Sequence, residues 1–98
     1  MVVSFQNDKL RELYESGEEQ GKPRYGKEVI KAFVKKIDLL AVVENSMALA
    51  KFHSLHLEKL VKEDRYRGMH SIRVNDQYRV CFRWEGSHAY EVEVTDYH

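Results

Sequence analysis

Hydrophobic positions in the first half of the chain recur with the period of a helix, after one short extended segment. Residues 2–5 read as a strand, and Asn7 or Asp8 can then cap a helix that Gly17 would end. A loop with two glycines and the only proline follows, and a longer helix is expected over about 25–43. Its apolar residues form one stripe, which predicts the face packed in the core: Val29, Ile30, Phe33, Val34, Ile37, Leu40 and Ala41.

Hydrophobic positions in the last third of the chain alternate, which is typical of strands. Residues 69–74, 78–84 and 90–94 read as three strands, joined by turns at 75–76 and 85–87. In the last two strands, the side chains expected to face the core are Tyr78, Val80, Phe82, Trp84, Tyr90, Val92 and Val94. Those expected on the opposite face are Arg79, Cys81, Arg83, Glu91 and Glu93.

The middle of the chain fits more than one structure. Residues 46–52 could extend the long helix, whereas residues 53–60 alternate as a weak strand would. Together with the flanking elements, the pattern predicts an α+β fold with two N-terminal helices packed on one face of a mostly antiparallel sheet. At 98 residues and 43% hydrophobic content, the chain is expected to form a single domain over residues 1–98.

The charge distribution is more informative than the net charge. The net charge is zero, with 16 basic and 16 acidic residues, which by itself argues weakly against nucleic-acid binding. Yet residues 22–36 hold six basic residues against one acidic, and residues 59–83 hold seven against three. The neutral total can therefore conceal basic patches, although ordinary solvated faces would give the same counts.

Cysteine content and hydropathy favour a cytoplasmic protein without a cofactor. The single Cys81 leaves no internal disulfide, and no apolar run approaches the roughly 18 residues needed to cross a bilayer. The apolar start at residues 1–5 is too short for a signal peptide. The five histidines match no compact metal-ligand spacing, so no metal is expected.

The last third of the chain resembles a known family. The segment Ser71–Trp84, which reads SIRVNDQYRVCFRW, and the terminal Asp96, Tyr97 and His98 resemble the C-terminal half of HigB toxins of the RelE superfamily. The first half agrees in the order of its elements, so the resemblance covers essentially the whole chain. It implies a RelE-like microbial ribonuclease fold, metal-free cleavage of mRNA in the ribosomal A site, and a HigA antitoxin with a helix-turn-helix. Operator DNA would be reached only through that antitoxin.

The chain departs from the family pattern in the loop before Ser71. This loop is a few residues longer than usual, so the loop histidine of the family corresponds to His56, to His53 or to neither. Met69 and His70 stand where an aromatic residue commonly precedes the serine.

The chemistry implied by the resemblance needs a base, an acid and a cation around a ribose 2′-OH that attacks the phosphorus. Arg79 is expected to supply the cation, because its guanidinium can hold two phosphate oxygens; the alternative is a surface ion pair with Glu91 or Glu93. Asp96 and His98 would lie on one side of an extended tail, where a carboxylate fixes the imidazole tautomer for proton transfer.

Other residues have two open interpretations each. Tyr97 would donate a hydrogen bond to phosphate or stack on a base, unless it packs on the sheet edge. His56 is a second candidate base or a half-buried structural histidine. The expected phosphate contacts are Lys59 and Lys62 towards mRNA, and Arg65, Arg67 and Arg73 towards ribosomal RNA.

The alternative function is a catalytically weak homologue that binds RNA or the antitoxin and acts in repression of their operon.

Overall fold

Five strands form one sheet, with helices on one face. The computed structural model of the chain describes residues 1–61 and 64–96. In chain order, the elements are β1 Val2–Phe5, α1 Asp8–Ser16, α2 Lys27–Val42, α3 Ser46–Leu49, β2 Glu58–Lys59, β3 His70–Arg73, β4 Tyr78–Glu85 and β5 His88–Asp96, with short 3-10 turns at His53–Leu55 and Asp64–Tyr66. The sheet order is β1-β5-β4-β3-β2, and only β1 runs parallel to its neighbour. The predicted α+β class is confirmed.

The two ends of α1 follow from local sequence. The side chain of Asn7 accepts a hydrogen bond from the backbone N–H of Leu10 at 3.0 Å, which caps the first turn. Gly17 adopts a left-handed conformation with φ 71, and its N–H donates to the carbonyl of Leu13 at 2.9 Å. Both predicted boundaries are confirmed, with Asn7 rather than Asp8 as the cap.

Helix α2 buries the predicted stripe, with one exception. Its fully enclosed side chains are Ile30, Phe33, Ile37 and Leu40. Val29 and Val34 are partly buried beside them. Ala41, at the edge of the stripe in the last turn, is exposed, so its assignment to the core was wrong.

The middle of the chain adds elements that the sequence did not predict. Val43 is extended, which ends α2, and Asn45 then caps the separate short helix α3 by accepting from the N–H of Ala48 at 3.1 Å. The alternating segment 53–60 forms a 3-10 turn, and only Glu58–Lys59 pairs with β3. The expectation of two helices on the sheet is therefore met only in part.

A bulge in β5 changes which side chains face the core. Glu91 has a positive φ of 53, and the pairing of β4 with β5 shifts between Cys81 and Arg83. An extra residue in one strand reverses the alternation of its side chains. Tyr90 therefore lies opposite Arg83, and Ala89 takes the buried position. The prediction that Tyr90 shares the face of Val92 and Val94 was wrong.

None of the helices in the described parts of the chain combines the length and apolarity that crossing a bilayer requires.

His70 is held in an apolar setting on β3. Its ring stacks on Trp84 with 4.1 Å between centroids. Its Nδ1 is buried and finds no hydrogen-bond partner among residues 1–61 and 64–96. Burial, and secondarily the charge of Lys59, lowers the pKa of His70. The unfolded chain therefore takes up a proton at this site at a higher pH than the folded one.

We expect His70→Phe to stabilise the protein, most clearly at acidic pH. Because the folded pKa is depressed, the wild type is most stable above the unfolded value near 6.5, and stability declines as the pH falls from there towards the folded pKa. Phenylalanine keeps the stacking on Trp84 and removes the buried nitrogen. A buried polar atom without a hydrogen-bond partner destabilises the folded state by about 1 kcal/mol or more. The melting temperature should rise by about 4–8 °C per kcal/mol. The measurement is the melting temperature of both proteins at pH 5.5 and pH 8. If both lose the same amount of stability on going to pH 5.5, protonation of His70 is not the cause.

Candidate active site

Arg79 is held on the side of the sheet opposite the helices. This side is here called the polar face, and the side chains on it include Glu58, Ser71, Arg73, Arg79, Cys81, Glu93 and Thr95. Arg79 is only 8% exposed. Its Nε donates to Ser71 Oγ at 2.8 Å, and its Nη2 donates to the carbonyl oxygens of His56 and Ser71. The guanidinium is therefore fixed in one orientation.

The burial of Arg79 is the feature that the sequence did not reveal. Alternation placed Arg79 away from the core correctly, but the segment carrying His56 folds back over it. His56 adopts a left-handed conformation with φ 48, and its carbonyl oxygen accepts from Arg79. Such backbone is uncommon for a non-glycine residue and is held here by its surroundings. The contact of His56 with Arg79 is through the backbone, and the residue itself is exposed.

A second charged group on the polar face is Glu93. It is 7% exposed, and its carboxylate lies 3.5 Å from the guanidinium of Arg65. The next residue, Tyr66, accepts a hydrogen bond from Thr95 Oγ1 at 3.4 Å, and Arg65 lies over its ring. The 3-10 turn 64–66 is thus tied to the polar face at two adjacent points.

An open groove of about 1140 Å³, here called the side groove, gives access to this end of the polar face. It lies between α1, residues 18–25, the turn 64–66 and the end of β5. Glu93, Thr95 and Asp96 line it. A ligand in the side groove can therefore reach a carboxylate and hydroxyl that are otherwise enclosed.

Glu19 orders the rim of the side groove. Its carboxylate accepts from the backbone N–H groups of Arg24 and Tyr25 at 2.9 and 2.8 Å, and from that of Gly26 at 3.2 Å. Desolvation alone would raise the pKa of Glu19, but the three N–H groups and the charge of Arg24 together lower it. Tyr25 then packs edge-on against Tyr78 at 5.2 Å between centroids.

The predicted RNA-binding arginines all carry acidic partners. Arg65 pairs with Glu93, Arg67 pairs with Asp64 at 2.9 Å, and Arg73 pairs with Asp76. Arg73 stands directly opposite Arg79 on the neighbouring strand. Each of these three arginines thus has a carboxylate beside it that offsets its charge locally.

Of the two predicted phosphate-binding lysines, Lys59 is the one that the structure describes, and it stands apart from these arginines. Lys59 lies opposite His70 in the β2–β3 pair, while its neighbour Glu58 lies opposite Ser71. Since side chains alternate along a strand, Lys59 faces away from the polar face. Lys62 lies outside the described residues.

Of the three predicted tail residues, the structure describes only Asp96. Asp96 ends β5 opposite Tyr78, and the side-chain amide of Gln77 donates to it at 3.1 Å. By alternation it lies on the face opposite that of Arg79, at the strand end where it also lines the side groove. Tyr97 and His98 lie outside the described residues, so their proposed roles stay predictions.

Three residues of this region were missed by sequence reasoning. Ser71 shares the alternation of Arg73, so its position beside Arg79 was readable from β3. Glu93 was placed outward, but nothing in the sequence showed that it would be enclosed. Tyr66 comes from a loop with no periodic pattern, so no local signal pointed to it.

The α+β fold, with its five-stranded sheet, is consistent with a RelE-like toxin. A family model described as the RelE-like toxin HigB of type II toxin–antitoxin systems matches residues 3–98. The chain therefore belongs to the HigB-like toxin family, which confirms the resemblance and implies an antitoxin partner. It is also similar to an uncharacterized protein of Haemophilus influenzae, at 31% identity over 83 residues that cover 85% of this chain and 78% of that protein.

Proposed function

We propose that this chain is the toxin of a type II pair and that it cuts mRNA in the ribosomal A site without a metal. In this reaction the ribose 2′-OH attacks the adjacent phosphorus and the 5′-oxygen leaves. The observation that carries the proposal is Arg79, a permanent cation fixed by Ser71 and by backbone carbonyls at the base of a polar face. A preorganised cation of this kind stabilises the charge that develops on the phosphate oxygens.

The tail supplies the proton chemistry in this proposal. Asp96 orients the imidazole of His98, His98 moves a proton at the scissile phosphate, and Tyr97 donates a hydrogen bond or stacks on a base. Two residues extend a chain by at most about 7 Å, which limits how far His98 can lie from Asp96. His56 is retained as a second candidate base, although its contact with Arg79 is through its carbonyl oxygen.

The ribosome supplies the positioning that this small surface lacks. We assign contacts with mRNA phosphates to Lys59 and Lys62, and contacts with ribosomal RNA to Arg65, Arg67 and Arg73. Each of these arginines would exchange its acidic partner for a phosphate. The pairs of Arg67 and Arg73 are exposed and contribute little to stability. Free RNA is then a poor substrate, because orientation carries much of the catalytic barrier.

The partner in this proposal is a HigA-type antitoxin with a helix-turn-helix. It would hold the toxin inactive in the cytoplasm, and the complex would reach operator DNA through the antitoxin alone.

A second candidate function is favoured by the same ion pairs. If the arginines keep their acidic partners, the chain is a catalytically weak homologue that binds RNA or the antitoxin and acts in repression of their operon. The neutral net charge agrees with this alternative, since a strong RNA-binding surface is usually basic.

Induced expression separates the two functions. We expect the wild-type chain to arrest growth within one generation and to leave mRNA with new ends inside translated codons, while co-expression of an adjacent helix-turn-helix protein restores growth. Purified protein should cleave mRNA on programmed ribosomes and leave the same RNA intact without them. Normal growth and intact mRNA at high expression would establish the binding function instead.

A further inference from the structure

We propose that Glu93 is the general base that takes the proton from the attacking 2′-OH. This inference rests on the proposed cleavage reaction and names a residue for a step that the tail alone does not cover. The reaction needs two proton-transferring groups, one for the 2′-oxygen and one for the 5′-oxygen. Assigning His98 to one of them leaves the other to be found.

Position supports Glu93. It lies opposite Cys81 on the polar face, two residue pairs along the strands from Arg79 and Thr95, with the core-facing pair of Val80 and Val94 between them. Diagonal neighbours on one sheet face are about 7–8 Å apart at the backbone, so one phosphodiester can contact both side chains. Glu93 also lines the side groove, so its carboxylate is enclosed by protein yet open to a bound strand.

The other groups on the polar face are less suited to this step. Burial raises the pKa of the Cys81 thiol, which keeps it protonated near neutral pH. Ser71 and Thr95 are hydroxyls, and Ser71 is already bonded to Arg79. The residue His56 is exposed, and its carbonyl is its contact with the guanidinium. Glu58 also lies on this face, opposite Ser71, but it is exposed. Among the described residues of this face, Glu93 is thus the buried carboxylate that can accept a proton.

Arg65, the ion-pair partner of Glu93, has an exposed side chain that can change its contact. Arg65 is 69% exposed at its side chain and lies 3.5 Å from the carboxylate, so its guanidinium has room to turn towards another anion at the surface. A phosphate in the side groove offers Arg65 a second anion. When Arg65 turns to that phosphate, a carboxylate oxygen of Glu93 becomes available to the ribose hydroxyl.

The step balances with the residues named. The 2′-OH proton passes to Glu93 as the bond between the 2′-oxygen and phosphorus forms. The bond from phosphorus to the 5′-oxygen breaks, and that oxygen takes a proton from the acid that we assign to His98. The products are a 2′,3′-cyclic phosphate and a 5′-hydroxyl. Glu93 then gives its proton to water and the acid takes one back from water, so both groups are restored.

Glu93→Gln is the direct test, because glutamine keeps the shape and removes the base. On programmed ribosomes under single-turnover conditions, we expect the maximal rate to fall by about 10²–10⁴-fold with little change in the concentration of toxin needed for half-maximal rate. The acidic limb of the pH–rate profile should be lost in Glu93→Gln and retained, at a lower rate, in Glu93→Asp. Glu91→Gln is the matched control, since Glu91 is exposed and paired with Arg83, and it should cleave like the wild type.

Each result decides the inference. A slow Glu93→Gln protein with a wild-type melting temperature and an altered pH profile supports it. Wild-type cleavage by Glu93→Gln overturns it, and faster cleavage does so too, by showing that Glu93 only restrains Arg65. If Glu93→Gln does not fold, Glu93→Asp decides: loss of the acidic limb of its pH–rate profile overturns the inference. If the wild type itself does not cleave, the proposed function fails, and not this assignment alone.

Discussion

Arg79→Ala is expected to lower the rate of mRNA cleavage by about 10²–10³-fold and to relieve growth arrest on induced expression. The reason is that the variant removes the fixed cation from the polar face while leaving the strands that carry it. It also leaves Ser71 and the carbonyl of His56 without their partner, which costs about 1–3 kcal/mol of folding free energy. Cleavage on programmed ribosomes should therefore be measured beside the melting temperature of each protein.

Two further variants separate charge from folding in this experiment. Arg79→Lys keeps the positive charge but cannot make the same set of hydrogen bonds, so we expect partial activity at best. Arg83→Ala removes an arginine from the same strand four residues away, where it is paired with Glu91, and should leave cleavage intact. Full activity in a folded Arg79→Ala protein would show that the Arg79 guanidinium is not needed for cleavage.

The second large effect is expected at the tail, where His98→Gln should slow cleavage by about 10²–10⁴-fold. Glutamine retains hydrogen-bonding capacity but cannot carry a proton between pH 5 and 8. We expect the variant to have the melting temperature of the wild type. We also expect it to bind ribosomes as the wild type does. The quantity to measure is the single-turnover rate on programmed ribosomes.

A matched histidine serves as the control for the tail variant. His88 is bonded to Ser4 Oγ at 2.7 Å near the β1 edge of the sheet, and His88→Gln should cleave normally. If His98→Gln and His88→Gln are equally active, the tail histidine does not take part in the reaction.

Elements fixed by local chemistry were predictable from the sequence. Asn7 and Gly17 carry their own capping geometry, so the ends of α1 needed no tertiary information. The β4 alternation likewise placed Val80 and Phe82 in the core and Arg79 on the other side. Each of these features depends on neighbours within a few positions along the chain.

Features that depend on distant contacts were not predictable. The bulge at Glu91 reversed the side of Tyr90, and no residue there carries the glycine signature that would have announced a positive φ. Helix α2 stops at Val42 although the following residues are helix-compatible, because Val43 becomes extended and is buried. In both places the tertiary structure overrode the local pattern.

The candidate site divides in the same way. The residue types and the face of Arg79 followed from alternation and from the family resemblance. The enclosure of Arg79 and Glu93 did not, because it comes from the segment around His56 and from the turn 64–66 folding over the sheet. The acidic partner of Arg65 was hidden for the same reason, since Glu93 is far from it in sequence. The partners of Arg67 and Arg73 are only three residues away.

The chemical ends of the cleaved mRNA show whether the ribose 2′-OH is the nucleophile. If the ribose 2′-OH attacks at a site organised by Arg79, the upstream fragment ends in a 2′,3′-cyclic phosphate and the downstream fragment begins with a 5′-hydroxyl. An mRNA with a single 2′-deoxyribose at the cleaved position should then stay intact on the ribosome. Fragments with a 3′-hydroxyl and a 5′-phosphate, or cleavage of the deoxy-substituted mRNA, would contradict the account.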